Sequence, residues 1–263
     1  MSTRRSFLRS GVVAAATGAL AGCLAAGSPD PTTLSLGERA TLDEATPRVD
    51  RVHPYAAYVL DESTAPAIRS APHTQFLLAW VDVRGEREAP PPEQYGLVLD
   101  GRAPVPAEAV RPPPEVVYGA GRVVGGDWAL VFPVPTTRAV ESAAVVRFEA
   151  GDPVAEWPVD GATLDLLNDP PAVQVRDVRV PDRVERGEPF PVAVTAARLG
   201  GRAEPLAVVA TADSLAGRVE RVDLPAGRPV RTTLSLTAPA AGTSAVLVEW
   251  MGGRIERPLH VEG

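Results

Sequence analysis

From Ala172 onward, apolar and polar residues alternate with a period of two. Val173 and Val175, then Val178 and Val180, have charged or polar partners, and Phe190, Val192, Val194 and Ala196 fall on one side of a single extended run. Further apolar runs cover residues 206–212, 230–237, 244–250 and 255–261. Turn-forming clusters separate them: Arg186-Gly187-Glu188-Pro189, Gly200-Gly201, Pro225-Ala226-Gly227, Pro239-Ala240-Ala241-Gly242 and Gly252-Gly253. Six or seven short strands at roughly ten-residue spacing predict an immunoglobulin-like sandwich over residues 172–263.

The preceding stretch is less regular but also reads as β. Gln75–Val83 is its strongest run, with Phe76, Leu78, Trp80 and Asp82 on one face and Leu77, Ala79, Val81 and Val83 on the other. Residues 34–42 open a strand pair, and runs at 95–99, 128–134, 144–149 and 154–159 continue the series. Leu164-Asp165-Leu166-Leu167 reads as too short to matter. The prolines of Asn168-Asp169-Pro170-Pro171 interrupt ladder and helix alike and mark a boundary. The expected fold is therefore all-β, with two immunoglobulin-like β-sandwiches in tandem at 34–167 and 172–263. Segments 54–72, 85–94 and 104–127, rich in Pro or Gly, are expected to be loops.

The N-terminus follows a different pattern. Its apolar run from Gly11 to Ala21 is too short to span a bilayer, which needs about twenty residues, and it has the length of a signal-peptide core behind a basic segment. Thr3-Arg4-Arg5-Ser6-Phe7-Leu8-Arg9 resembles a twin-arginine export signal, and Leu20-Ala21-Gly22-Cys23 resembles a lipobox. These resemblances imply an export signal over residues 1–22 that is read through Arg4, Arg5, Phe7 and Leu8. They also imply cleavage between Gly22 and Cys23 and a lipid on Cys23. Residues 23–33 would then tether the chain to the outer face of the cytoplasmic membrane, and a stretch of nine residues holds the first domain within about 30 Å of it.

Composition narrows the chemistry. Cys23 is the single cysteine, so neither disulfides nor thiolate zinc or blue-copper sites are available, and the folds rest on their cores. All 26 basic residues are arginine, which excludes lysine-dependent phosphate loops and Schiff-base catalysis. The net charge of −7 becomes about −10 once the signal and its three arginines are removed, a bias that repels nucleic acid. The absence of lysine, the acidity and the lipobox together resemble a secreted lipoprotein of a salt-loving archaeon.

A second resemblance lies in the C-terminal half. Val178-Arg-Val-Pro-Asp-Arg-Val-Glu-Arg-Gly-Glu-Pro-Phe-Pro-Val-Ala-Val-Thr and the later Leu224-Pro-Ala-Gly are similar to the cell-adhesion-related (CARDB-type) domains of bacterial and archaeal surface proteins. The resemblance covers nearly all of 172–263 and implies an immunoglobulin-like fold. Arg198-Leu199-Gly200-Gly201 stands where that family often carries Asn-Gly.

Catalytic motifs are missing from the sequence. It has no Gly-x-Ser-x-Gly and no His-Glu-x-x-His, and Gly119–Gly126 lacks the spacing and the following helix of a dinucleotide fingerprint. His53, His73 and His260 are scattered, and the acid pairs Asp43-Glu44 and Asp61-Glu62 have no calcium-loop spacing. No cofactor and no metal site are expected. The feature with most weight is an asymmetry: of twelve aromatic residues beyond the signal, ten lie between Tyr55 and Trp157. Tyr55, Tyr58, Tyr95 and Tyr118, beside Pro-rich segments, are the expected binding surface. The expected function is a non-catalytic binding or scaffold module at the cell envelope, held to the membrane through Cys23, with an envelope protein as its possible partner. A purely structural spacer is the alternative, and an enzyme with an unrecognised site the remote one.

Overall fold

Residues Thr74–Arg84 form a strand that is apolar on both faces, and that property decides the layering of the first half. The computed structural model describes residues 30–41, 46–61, 66–84, 91–110, 117–118, 121–122, 128–149, 154–212 and 217–263. In chain order the first half carries β1 (Thr32–Thr33), β2 (Thr46–Tyr55), β3 (Tyr58–Asp61), β4 (Pro66–Arg69), β5 (Thr74–Arg84), β6 (Tyr95–Leu99) and β7 (Val105–Pro106). There follow β8 (Glu108–Val110), β9 (Val117–Tyr118), β10 (Gly121–Arg122), β11 (Trp128–Pro135), β12 (Ala144–Glu149), β13 (Val154–Pro158) and the helix α1 (Gly161–Asn168).

One sheet has the order β1-β13-β12-β6-β7 and packs on a central sheet, β2-β5-β11-β8. That order, with β1 parallel to β13 at the edge, is the immunoglobulin arrangement of two antiparallel sheets. Between the two sheets lies the main core of Leu77, Leu97, Phe132, Phe148 and Trp157, all fully buried. Burying each of these side chains contributes roughly 1.5–3 kcal/mol. The Trp157 indole N–H is satisfied by the Glu38 carbonyl at 3.0 Å, so the largest core side chain leaves no orphaned donor.

The other face of the central sheet is not left to water. Two hairpins, β3–β4 and β9–β10, join into a third sheet (β10-β9-β3-β4) that lies over it and buries Tyr55, Tyr58, Phe76, Leu78 and Trp80. A bulge at Asp50 shifts the register of β2 between Val49 and Arg51. Val49 faces the main core, and beyond the bulge Arg51, His53 and Tyr55 stand opposite Trp80, Leu78 and Phe76 on the outer face.

The second half carries β14 (Ala172–Arg179), β15 (Arg183–Glu185), β16 (Pro189–Gly200), β17 (Leu206–Ala212), β18 (Arg218–Val222), β19 (Val230–Thr237), β20 (Gly242–Trp250) and β21 (Gly253–Glu262). Sheets β14-β16-β19 and β15-β21-β20-β17-β18 enclose their own core, which includes Phe190, Val192, Val194, Leu206, Val248 and Leu259. The parallel pairing of β15 with β21 repeats the edge geometry of β1 with β13. The chain is thus two immunoglobulin-type sandwiches in tandem.

Three expectations change. Segments 54–72 and 104–127, read as loops, contain strands β3, β4 and β7–β10: β3, β4, β9 and β10 supply the hydrophobic cover that the second apolar face of β5 needs, and β7 and β8 extend the two sandwich sheets at their edges. Thr32 and Thr33, assigned to the tether, pair with Ala155 and Glu156. The segment dismissed as too short is the core of α1, a two-turn helix whose Asp160 accepts the N–H of Thr163 as N-cap and whose Leu167 is buried.

Candidate functional site: the joint between the sandwiches

The helix α1 ends at the boundary between the sandwiches, and its last carbonyls need donors. Asn168 is tied to the first sandwich, its Oδ1 accepting Val140 N–H at 2.8 Å and its Nδ2 donating to Val140 O at 3.0 Å. Leu167 O accepts Gln75 Nε2 at 2.6 Å, and Leu166 O accepts Arg202 Nη1, also at 2.6 Å. A guanidinium at a helix C-terminus meets the negative end of the macrodipole, so the helix is closed by a cation from the second sandwich.

Arg202 reaches this position because the Gly200-Gly201 turn folds against the linker. Gly201 has φ +68°, and a Cβ there would lie 2.0 Å from the Pro170 carbonyl oxygen, so only glycine fits. Arg202 N–H donates to Asp169 O at 3.0 Å. Its side chain then extends into the first sandwich and donates to Gln75 Oε1 at 3.0 Å, Pro54 O at 3.2 Å and Glu204 Oε2 at 2.9 Å. Glu204 in turn accepts Ala56 N–H at 3.0 Å. The Arg202 and Glu204 side chains are only 6% and 11% exposed, which sets this pair apart from ordinary surface ion pairs.

Burial pushes the Glu204 carboxyl upward, against the pull of Arg202 and of Ala56 N–H. Burial lowers the Arg202 guanidinium, against Glu204. The pair holds its charges in a buried joint because each partner also has backbone or amide bonds. Nearby, burial and the charges of Arg202 and Arg51 hold His53 below its usual range. Its ring lies 4.8 Å from that of Tyr55, and the Arg51 guanidinium sits 4.0 Å over the Trp80 ring. A second contact braces the joint: β4 of the inserted hairpin packs on β17 and β20, the sheet face that carries buried Val209.

The tyrosines expected to form a binding surface are placed differently. Tyr55, Tyr58 and Tyr95 are 8%, 4% and 3% exposed. Tyr55 and Tyr58 fill the layer under the hairpins, and Tyr95 packs its ring 4.7 Å from Phe148. Burial raises the Tyr95 hydroxyl well above the usual range. Tyr118 lies on β9, with only its backbone described. Arg4, Arg5, Phe7, Leu8, Gly22 and Cys23 fall outside the described residues, as do Asp43, Glu44 and Glu62. His73 occupies an exposed turn at φ 55° and His260 an exposed position on β21, so neither joins His53. Among the described residues no group of three or more His, Cys, Asp or Glu side chains gathers in metal-binding geometry, and no helix is long and apolar enough to cross a membrane. Arg202, Glu204 and Gln75 gave no signal as a motif. The one local hint is the Gly200-Gly201 turn directly before Arg202.

No protein-family model matches the chain, and none of the curated proteins matches its sequence. Among solved structures it is similar to the CARDB domain of a Pyrococcus furiosus protein crystallised with two metal ions. That likeness has 15% identity over 35% of this chain and 89% of that one, with a TM-score of 0.31. Domains 4 and 5 of the S-layer protein SbsC match at 16% identity over 85% of this chain and all of that one, with a TM-score of 0.25. A Listeria innocua β-glucosidase in complex with glucose matches at 19% identity and a TM-score of 0.29. There the match takes in 35% of this chain and 16% of the glucosidase. The strand orders described above define the two sandwiches independently of these likenesses.

Two outcomes follow from the joint. Arg202→Ala, which strands Glu204 and three acceptors in a buried site, is expected to lower unfolding free energy by about 3–5 kcal/mol. Arg202→Lys should restore little of it, since an ammonium lacks the fork. A loss under about 1 kcal/mol in chemical denaturation, the size of an exposed pair, would contradict this. For His53 the folded pKa lies below the unfolded value of about 6.5, so its contribution is present above that pH and is lost as pH falls toward the folded value. Thermal melts should therefore show a smaller drop between pH 7 and 5 for His53→Gln than for the parent protein.

Proposed function

We propose that the protein is an extracytoplasmic, membrane-attached, non-catalytic scaffold that holds two sandwiches in one fixed orientation at the cell envelope. The observation that carries this reading is the buried Arg202–Glu204 joint with its hairpin brace, because flexible tandem domains do not need such a contact. Strand directions agree with it. The chain enters the first sandwich at Thr32, beside Ala155 near the start of β13, and leaves past Pro158 through α1 at the end where the second sandwich docks. A lipid on Cys23 would place the first sandwich next to the membrane and project the second outward.

The burial of Tyr55, Tyr58 and Tyr95 favours a positioning role over recognition by an aromatic face. Partner recognition, if the scaffold has it, would fall to surfaces other than these rings. The protein takes its place as a spacer or platform for an envelope partner, with no nucleic acid and no chemistry of its own.

Fractionation tests the attachment. Cys23→Ala should release the protein from membranes or leave the precursor uncleaved, and Arg4→Lys with Arg5→Lys should hold the precursor in the cytoplasm. Unchanged membrane attachment of Cys23→Ala would overturn the anchored reading, and normal export of the double lysine variant would assign export to the general secretory route.

A further inference from the structure

A cleft of about 180 Å³ opens in the first sandwich between the β6–β7 turn and the segment after β11. Leu99, Val105, Val134 and Val140 supply its apolar lining, and Arg102 and Arg138 are the exposed cations in its wall. Neither arginine makes an ion pair among the described residues, in a chain that carries a net negative charge. The one acid in the wall is already engaged. Asp100, at φ 50°, accepts Glu141 N–H at 3.0 Å, Ser142 N–H at 2.8 Å and the Ser142 hydroxyl at 3.1 Å. Those bonds hold the two walls at a fixed separation, so the cleft is built into the turn geometry.

The remaining side is fixed by the joint. Val134 stands opposite Gln75 in the β5–β11 register, and Val140 is gripped by Asn168 at the end of α1. Gln75 and the α1 carbonyls are the groups that receive Arg202.

We propose that this cleft binds a small carboxylate with an apolar body of about six carbons. The carboxylate would pair with Arg102 and Arg138 and the body would cover the valine and leucine lining. Charge decides the polarity, since two guanidinium groups with no acidic partner among the described residues stand beside one carboxylate that backbone donors already satisfy. Size decides the rest: a dry apolar cavity of about 150 Å³ accommodates a benzene-sized body, and drug-sized ligands need about 300 Å³ or more. The site stands independently of how the protein is attached to a membrane.

The test is an NMR titration of the full chain carrying Cys23→Ala, with hexanoate as the probe and acetate and 1-hexanol as the two halves of its chemistry. Hexanoate should saturate with amide shifts concentrated at residues 99–105 and 134–140. The two controls should bind at least tenfold more weakly. Arg102→Ala with Arg138→Ala should weaken hexanoate at least tenfold, and Val105→Trp, which fills the cleft, should abolish binding; an unchanged spectrum elsewhere shows that each variant is folded. Binding of hexanol equal to that of hexanoate would remove the arginines from the site, and equal binding of acetate would remove the apolar cleft. Either result overturns the proposal, as does a titration without saturation.

Discussion

A guanidinium that has left water must find acceptors for its donors, and in this protein the acceptors of Arg202 belong to both sandwiches. Gln75 comes from β5 of the central sheet, Pro54 from the end of β2, Leu166 from a helix that bridges the boundary, and Glu204 from its own loop. Removing Glu204 would leave a buried charge without its counter-ion, which costs several kcal/mol, and removing any of the neutral acceptors would leave a buried guanidinium donor unpaired. The orientation of the two sandwiches is therefore set by electrostatic necessity at one point, and the hairpin contact with β17 adds apolar area beside it.

The same economy appears in the first sandwich. A sheet apolar on both faces must be covered twice, and the chain meets that demand with two insertions that join into a small third sheet. The eight aromatic residues of the first half whose side chains are described are the filling between those layers. One of the hairpins then reaches the second sandwich, so the cover of an exposed sheet also serves as a strut.

Much of this architecture was legible from the sequence, and the reasons differ by element. Strands at 95–99, 144–149, 206–212 and 230–237 coincide with their apolar runs, because period-two alternation over a core leaves little freedom of register. The two-faced character of residues 75–83 was also visible, but the expectation of a two-sheet sandwich made no provision for the layer that covers its second face. The joint was not legible. Arg202 and Glu204 look like surface charges in Gly201-Arg202-Ala203-Glu204-Pro205, and only three-dimensional closure takes them out of water. The α1 segment failed for a related reason, since it acts through two carbonyl oxygens, the Asn168 amide and one buried leucine, which together make no periodic pattern. Tyr55, Tyr58 and Tyr95 misled because Pro-rich surroundings suggest loops, whereas here they lie on strands that bury them.

The central claim, that one buried arginine fixes the two sandwiches as a single body, is tested most directly by a distance distribution across the joint. Spin labels at Glu93→Cys and Arg254→Cys, both exposed positions on opposite sides of it, in a full chain carrying Cys23→Ser, report that distance by pulsed dipolar spectroscopy. A single narrow distribution that broadens when Arg202→Ala is added is the predicted result. A broad distribution in the parent protein, or a width that Arg202→Ala leaves unchanged, would contradict the account.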